Sequence, residues 1–288
     1  GLFTHAVYGF VTTMQRLLDE EQPEALCVTF DRREPTFRHE ADANYKATRK
    51  GMPDELAQQM PVMKQVLCAM SIPCYEMVGY EADDLLGTIS RRCEKRGWEC
   101  VIVTGDRDSL QLIDGNVHVK LVISKPGQTT TTLFDEEKFR EEYGFEPKKL
   151  IDLKALMGDS SDNIPGVAGV GPKTAKELLA KFGSLDGVYA HLDDPSIRPK
   201  LREKLEAGKE NAYLSFDLAT IRPEAPIDFA PKDAIVQPYN RLELYQLFQK
   251  LEFVRLIDKY GLRGAAADAP KPEQKVQPIP RREEKAAI

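Results

Sequence analysis

Eight carboxylates fall in four short stretches of the chain: Asp31 in VTFD, Glu81, Asp83 and Asp84 in GYEADDLLG, Asp106 and Asp108 in VTGDRDSL, and Asp159 and Asp162 in GDSSDN. Three acids ahead of one apolar run exceed what a helix N-terminus needs. Its partial charge of roughly +0.5 stabilises one or two acids, by under about 1 kcal/mol each, and a third adds repulsion. Asp106 and Asp108, two apart at a strand end, face the same way, while Glu81 and Asp84, three apart on a helix, are neighbours. Taken singly, each acid could be a solvated turn or a helix cap. If the four stretches converge, the anions raise one another's pKa values and oppose folding unless a cation joins them. Oxygen ligands without His or Cys select Mg²⁺ or Mn²⁺ over zinc. Two such ions roughly 4 Å apart form a clamp for in-line attack by water on a phosphodiester, with no side-chain nucleophile.

Two basic features accompany the acids. The stretch from Asp31 to about residue 60 is long, charged and poor in core residues, and carries Arg32, Arg33, Arg38, Tyr45, Lys46, Arg49 and Lys50. As a helix, 45–49 would present an aromatic face and cations together, suited to a single strand and its bases; a solvated charged face is the other reading. After GDSSDN comes IPGVAGVGPKTAKELLAKFG, in which Gly166, Gly169 and Gly171 precede Lys173 and Thr174. Pro172 breaks the Walker pattern G-x-x-x-x-G-K-T. Two helices joined by a glycine turn fit a hairpin that grips a DNA backbone without reading sequence, against the plainer reading of a tight turn between helices.

The elements that must position these groups alternate. Helical periodicity at Val7, Phe10, Val11, Met14, Leu17 and Leu18 is followed by the short apolar strand ALCVTFD. A helix at MPVMKQVLCAM, a strand at IPCYEM, a helix from EADDLLG to Gly97 and a strand at ECVIVTG come next, then an edge hairpin from VHVKLVI and TTTTLF. Such alternation predicts an α/β parallel sheet with sites at the carboxyl ends of its strands, where Asp31, Asp106 and Asp108 fall. From Asp135 the pattern is helical. The predicted division is a core over 1–134 with an arch at about 32–60, a helical lobe over 135–262, and a Pro-rich flexible linker over 263–288.

Composition narrows the chemistry. The 288 residues, 42% hydrophobic and 30% charged, suit a sizeable folded core. Five cysteines, odd in number and without a C-x-x-C pair, fit a reducing cytosol and buried thiols, and four scattered histidines give no material for a zinc site or a Ser-His-Asp triad. No stretch has the length of a membrane span or the form of a signal peptide. The net charge of −6 argues against nucleic acid until eight of the 46 acids are assigned to one cluster, which leaves the remainder positive.

FDRREPTFRHE, YKATRKGMPDEL, GYEADDLLGTI, VTGDRDSLQL and GDSSDNIPGVAGVGPKTA, in this order and spacing, resemble the 5′-nuclease domains of bacterial DNA polymerases I, over residues 1 to about 262. The resemblance implies a PIN-like α/β nuclease core with a helical arch and a lobe carrying a helix-hairpin-helix. It implies cleavage of 5′ flaps and 5′ ends, RNA primers included, by a monomer of the bacterial cytoplasm and nucleoid in replication and repair. Two or more Mg²⁺ or Mn²⁺ ions are implied, with a monovalent cation at the hairpin. Asp31, Glu81 and Asp83 match one metal group, Asp106, Asp108, Asp159 and Asp162 the other, and Asp84 an outer member. Arg38, Tyr45, Lys46 and Arg49 match the arch positions that engage the 5′ strand and scissile phosphate, and Lys173 with its glycines matches the duplex grip. The family opens with a strand ending in one more aspartate, which does not precede Gly1. The expectation is a piece cut at both ends, with a non-catalytic DNA-junction binder as the alternative to an active nuclease. A PIN-type ribonuclease is a weaker third reading, which the hairpin and helical lobe oppose.

Overall fold

The structure is a computed structural model and describes residues 3–268. Helix α1 (His5–Glu21) buries Val7, Val11 and Met14 at helical spacing and ends where Gln22 turns left-handed. Strand β1 (Val28–Thr29) leads through Phe30 to Asp31 and the charged arch, which holds the short helices α2 (Phe37–Ala41) and α3 (Asp54–Ala57). Helix α4 (Gln59–Ala69) brings the chain to β2 (Cys74–Tyr75), parallel to β1 with Val28 opposite Cys74. Helix α5 (Ala82–Glu94) then runs to β3 (Cys100–Thr104) and a 3-10 helix at Arg107–Leu112. β3 pairs in parallel with β4 (Val117–Lys125), and β4 turns at Gly127 into antiparallel β5 (Gln128–Phe134), the expected edge hairpin. The strands thus form two small sheets, β1-β2 and β3-β4-β5. Helix α5 packs on both, so its first turn stands between their carboxyl ends.

The helical part comprises α6 (Glu136–Tyr143), α7 (Lys149–Met157), α8 (Pro172–Phe182), α9 (Leu185–Ala190), α10 (Pro199–Ala207), α11 (Lys209–Ala219), α12 (Arg241–Lys250) and α13 (Val254–Lys259). Packing divides the chain differently from the sequence boundary at 134/135. Ile102, Val119, Leu121 and Phe134 of the three-stranded sheet share one core with Leu156, Leu178, Leu205 and Ala212 of helices α7 to α11. Residues 241–262 return instead to the N-terminal half. Leu244, Phe248, Leu256 and Leu262 pack with Val7 and Val11 of α1 and Val66 of α4, each fully buried side chain contributing roughly 1.5–3 kcal/mol. The stretch between, with Ala225, Ile227 and Phe229, closes over Leu85 and Ile89 of α5.

Part of the predicted linker is structured: Ala265 is buried and Ala265–Asp268 form a 3-10 turn. Its remainder lies outside the described residues. All five cysteines are free, but only Cys93 is buried and Cys68 is exposed, so the expectation of buried thiols is corrected for Cys68. Among the described residues no helix is long and apolar enough to cross a membrane.

Candidate metal centre

Three acids of the cluster form no ion pair with a lysine or arginine among the described residues. Asp31, just past β1, accepts a hydrogen bond from the Ala82 N–H at 2.7 Å, which ties the end of β1 to the first turn of α5. Asp83 on that turn accepts from the Ser109 hydroxyl at 3.1 Å. Asp106, past β3, caps the 3-10 helix by accepting from the Asp108 N–H at 2.9 Å. Burial first, then the nearby charges of Asp106, Asp31 and Asp108, push the Asp83 carboxyl up to about 7. A carboxyl whose charge is opposed by burial and by neighbouring acids is a place where a cation would bind.

The other five acids are already paired. Asp84 is fully buried, and Arg38 holds both of its oxygens at 2.8 Å while the backbone N–H groups of Glu81 and Arg222 add bonds at 3.0 and 2.9 Å. Those four bonds use the lone pairs a direct metal ligand would need, so Asp84 acts as an anchor behind Glu81 and does not itself ligate an ion. Glu81 receives Lys46 Nζ at 2.8 Å and the Tyr45 hydroxyl at 3.2 Å. Arg49 pairs with Asp162. Lys154, buried on α7, donates to both Asp108 and Asp159, the latter at 2.6 Å. Although burial works against it, the Lys154 ammonium and Ser161 hold the Asp159 carboxyl at about 2. Burial pushes the Asp108 carboxyl up, against the pull of Lys154. Instead of sharing one cage, the eight acids divide into three unpaired and five paired. Among the described residues, no three acids, histidines or cysteines are grouped so as to hold an ion as they stand.

The arch differs from expectation in detail. Residues 43–48 are turns with Lys46 in the left-handed region, since the Lys46 N–H is drawn out to the Asp162 carbonyl at 2.8 Å. Tyr45 is 3% exposed and packs beside Ile164 and Leu218, so it offers no open face for a base. Arg38, 3% exposed, also donates to the Leu218 and Thr220 carbonyls at 2.8 Å, which makes it a clamp between arch, α5 and the end of α11, out of reach of a substrate phosphate. Lys50 and Arg49 remain exposed.

The loop after α7 carries Asp159 and Asp162 in a tight hairpin, closed by paired Asp159–Ile164 backbone bonds of 2.8 and 2.9 Å. A Cβ on Gly166 would lie 2.2 Å from the Gly158 nitrogen, so the two glycines let the loop ends meet. The Gly166 N–H is taken by the Ser215 hydroxyl at 2.8 Å. Gly166 therefore closes the loop and does not present an amide to a phosphate, contrary to expectation. Gly169, Gly171 and Lys173 are exposed at the start of α8 and Thr174 is half-buried; Lys204 of α10 lies across Gly169, donating to its carbonyl at 3.2 Å. Sequence reasoning missed Lys154, Ser109, Arg222 and Ser215. The legible signal for Lys154 was a charge inside the apolar run LIDLKALM, five residues before Asp159.

Family models match almost the whole described chain: the N-terminal resolvase-like domain of 5′-3′ exonucleases over residues 1–144, and their C-terminal SAM fold over 145–242. A DNA polymerase I of Caldicellulosiruptor bescii is 43% identical over 259 residues, 90% of this chain, and one of Bacillus subtilis is 41% identical over 268 residues, 93% of it. The chain spans about 30% of the length of these relatives. Among solved structures, the T5 5′-exonuclease with zinc bound superposes with a TM-score of 0.62 at 23% identity, covering 76% of this chain and 85% of its own. The catalytic core of Rad2 in complex with DNA substrate gives 0.51 at 19%, covering 77% and 72%. These likenesses show the fold.

Proposed function

The chain belongs to the 5′-3′ exonuclease family, and from that membership we propose that it is the metal-dependent 5′-nuclease part of a bacterial DNA polymerase I. It hydrolyses phosphodiester bonds at 5′ flaps and 5′ ends of DNA, RNA primers included, in replication and repair. The observation that carries the reading is the trio Asp31, Asp83 and Asp106. It is drawn from two strand ends and the first turn of α5, it has no ion-paired lysine or arginine among the described residues, and its centre carries a carboxyl pushed up to about 7. The chemistry of this all-oxygen donor set suits hard divalent ions, Mg²⁺ or Mn²⁺, although the three carboxylates are not drawn together around one point as they stand. Asp31, Asp83 and Asp106 would hold one, and Asp108, Asp159 and Asp162 a second. When bound, such ions would activate the attacking water and offset charge on the leaving oxygen.

The chain's own cations do the rest. Lys46, paired with Glu81, and Arg49, 47% exposed and paired with Asp162, would meet the phosphates beside the cut. The exposed start of α8, with Gly169, Gly171, Lys173 and Thr174, receives the duplex backbone and the implied monovalent cation. The working form is a monomer in the cytoplasm. The test is cleavage of a 5′-labelled flap duplex by the natural protein that contains this chain. Release of the flap with Mg²⁺ and none with chelator is expected; cutting that persists in Asp106→Ala and Asp159→Ala sinks the reading.

One observation favours a second reading. Lys46, Arg49 and Lys154 already neutralise acids of the cluster, as they would in a junction-binding module without turnover. That module would bind flaps with the same salt dependence whether or not Asp106 is replaced, and would never cut.

A further inference from the structure

We infer that Lys154 is an internal counter-cation that competes with a divalent ion for Asp108 and Asp159, so that the two halves of the acid cluster take up ions unequally. The inference rests on the metal-dependent reading above. Lys154 is 7% exposed, in the middle of α7 between Leu153 and Ala155. A lysine so buried is tolerated only when its charge is paired. Its partners come from two separate elements: Asp108 from the 3-10 helix after β3, and Asp159 from the loop after α7. The lysine thereby does locally what an ion between those acids would do, drawing the two segments together.

The same oxygens cannot serve both. The ammonium holds Asp108 Oδ1 and stands 2.6 Å from Asp159 Oδ2, while Ser161 occupies Asp159 Oδ1; Mg²⁺ requires its oxygens at about 2.0–2.1 Å in near-octahedral array, so an ion seated on Asp108 Oδ1 and Asp159 Oδ2 must expel the ammonium. On the other side of the cluster, among the described residues, neither lysine nor arginine forms an ion pair with Asp31, Asp83 or Asp106, so an ion entering there has no ammonium or guanidinium to expel. Filling therefore proceeds first at Asp31, Asp83 and Asp106, and the Asp108–Asp159 half fills only at the expense of a buried ion pair.

Mn²⁺ titration of the 288-residue chain, followed by electron paramagnetic resonance, tests this in wild type, Lys154→Met and Lys154→Arg. Lys154→Met is expected to tighten the weaker Mn²⁺ site about tenfold or more, while Lys154→Arg, which keeps the charge, leaves it weak. A folded Lys154→Met that binds Mn²⁺ as wild type does, or more weakly, overturns the inference. A second measurement needs no variant. Acetylation of Lys154, read by mass spectrometry, should rise when Mn²⁺ is raised to saturate the weaker site; labelling that stays flat overturns it equally. Mn²⁺ bound by no form sinks the metal reading and this inference with it, whereas binding that ignores Lys154 sinks the inference alone.

Discussion

Asp83 and Asp84 are adjacent on the first turn of α5 and have opposite surroundings. Asp84 is fully buried, yet a bidentate guanidinium and two backbone N–H groups meet it. Asp83 is only partly buried, yet one serine hydroxyl faces it while Asp31, Asp106 and Asp108 crowd it. The same contrast runs through the whole cluster, with Asp31, Asp83 and Asp106 unbalanced and Asp84, Glu81, Asp108, Asp159 and Asp162 served by Arg38, Lys46, Lys154 and Arg49. Burial of charge therefore does not mark a reactive centre. Charge left uncompensated does, because it is the part of the site the protein leaves for something else to complete.

The comparison breaks first on activity. Asp83→Asn is expected to lower flap cleavage by about 10³-fold or more, at least about 4 kcal/mol of barrier, while circular dichroism shows an intact fold. A variant that still cuts at a tenth of the wild-type rate would end the distinction between the two halves.

Stability sharpens it from the other side. Removing one partner of a buried ion pair costs about 3–5 kcal/mol, so Arg38→Met should lose that much in urea unfolding, because Asp84 is left charged among apolar groups. Replacing both, as Arg38→Met with Asp84→Leu, should recover part of the loss. Equal stability of Arg38→Met and wild type would mean that the clamp is ornamental.

A smaller effect follows from pH. The folded Asp83 carboxyl, at about 7, stands above the ordinary value of about 3.9. Its proton is thus held more tightly folded than unfolded, and the stability this contributes is fully present below about pH 4 and lost as pH rises toward 7. Without divalent ions, wild type should melt a few degrees lower at pH 7.5 than at pH 5 relative to Asp83→Asn, in which this contribution is absent. Parallel melting curves for the two chains would show that Asp83 is already compensated.

Much of this was legible in the sequence, for identifiable reasons. The strands were short apolar runs, the edge hairpin was β-branched, and Asp31, Asp106 and Asp108 stood at strand ends because α/β chains place sites there. What was not legible depends on pairing across long separations. Arg38 meets the Leu218 and Thr220 carbonyls from 180 and 182 residues away, and nothing in FRHEA signals that burial. Tyr45 looked like an exposed stacking face because its surroundings are charged, yet Ile164 and Leu218 bury it. Gly166 resembled a phosphate nest by spacing alone, whereas Ser215, 49 residues on, takes its N–H. The C-terminal helices read as part of one lobe because helical periodicity does not say which core a helix joins.

The smallest expected effect lies farthest from the acids, at the start of α8. Lys173 is exposed there, behind the Gly169–Gly171 turn, with no carboxylate partner among the described residues. If the duplex backbone lies on this helix end, Lys173 neutralises about one phosphate and releases about one counterion. Lys173→Ala should then lower the slope of log affinity against log salt by about 0.9 and weaken flap binding by less than about tenfold. The cleavage rate at saturating substrate should stay unchanged, because no reacting atom is touched. A loss confined to turnover, with the salt slope intact, would move Lys173 from the duplex grip into the catalytic half, and the division between groups that hold DNA and groups that cut it would have to be redrawn.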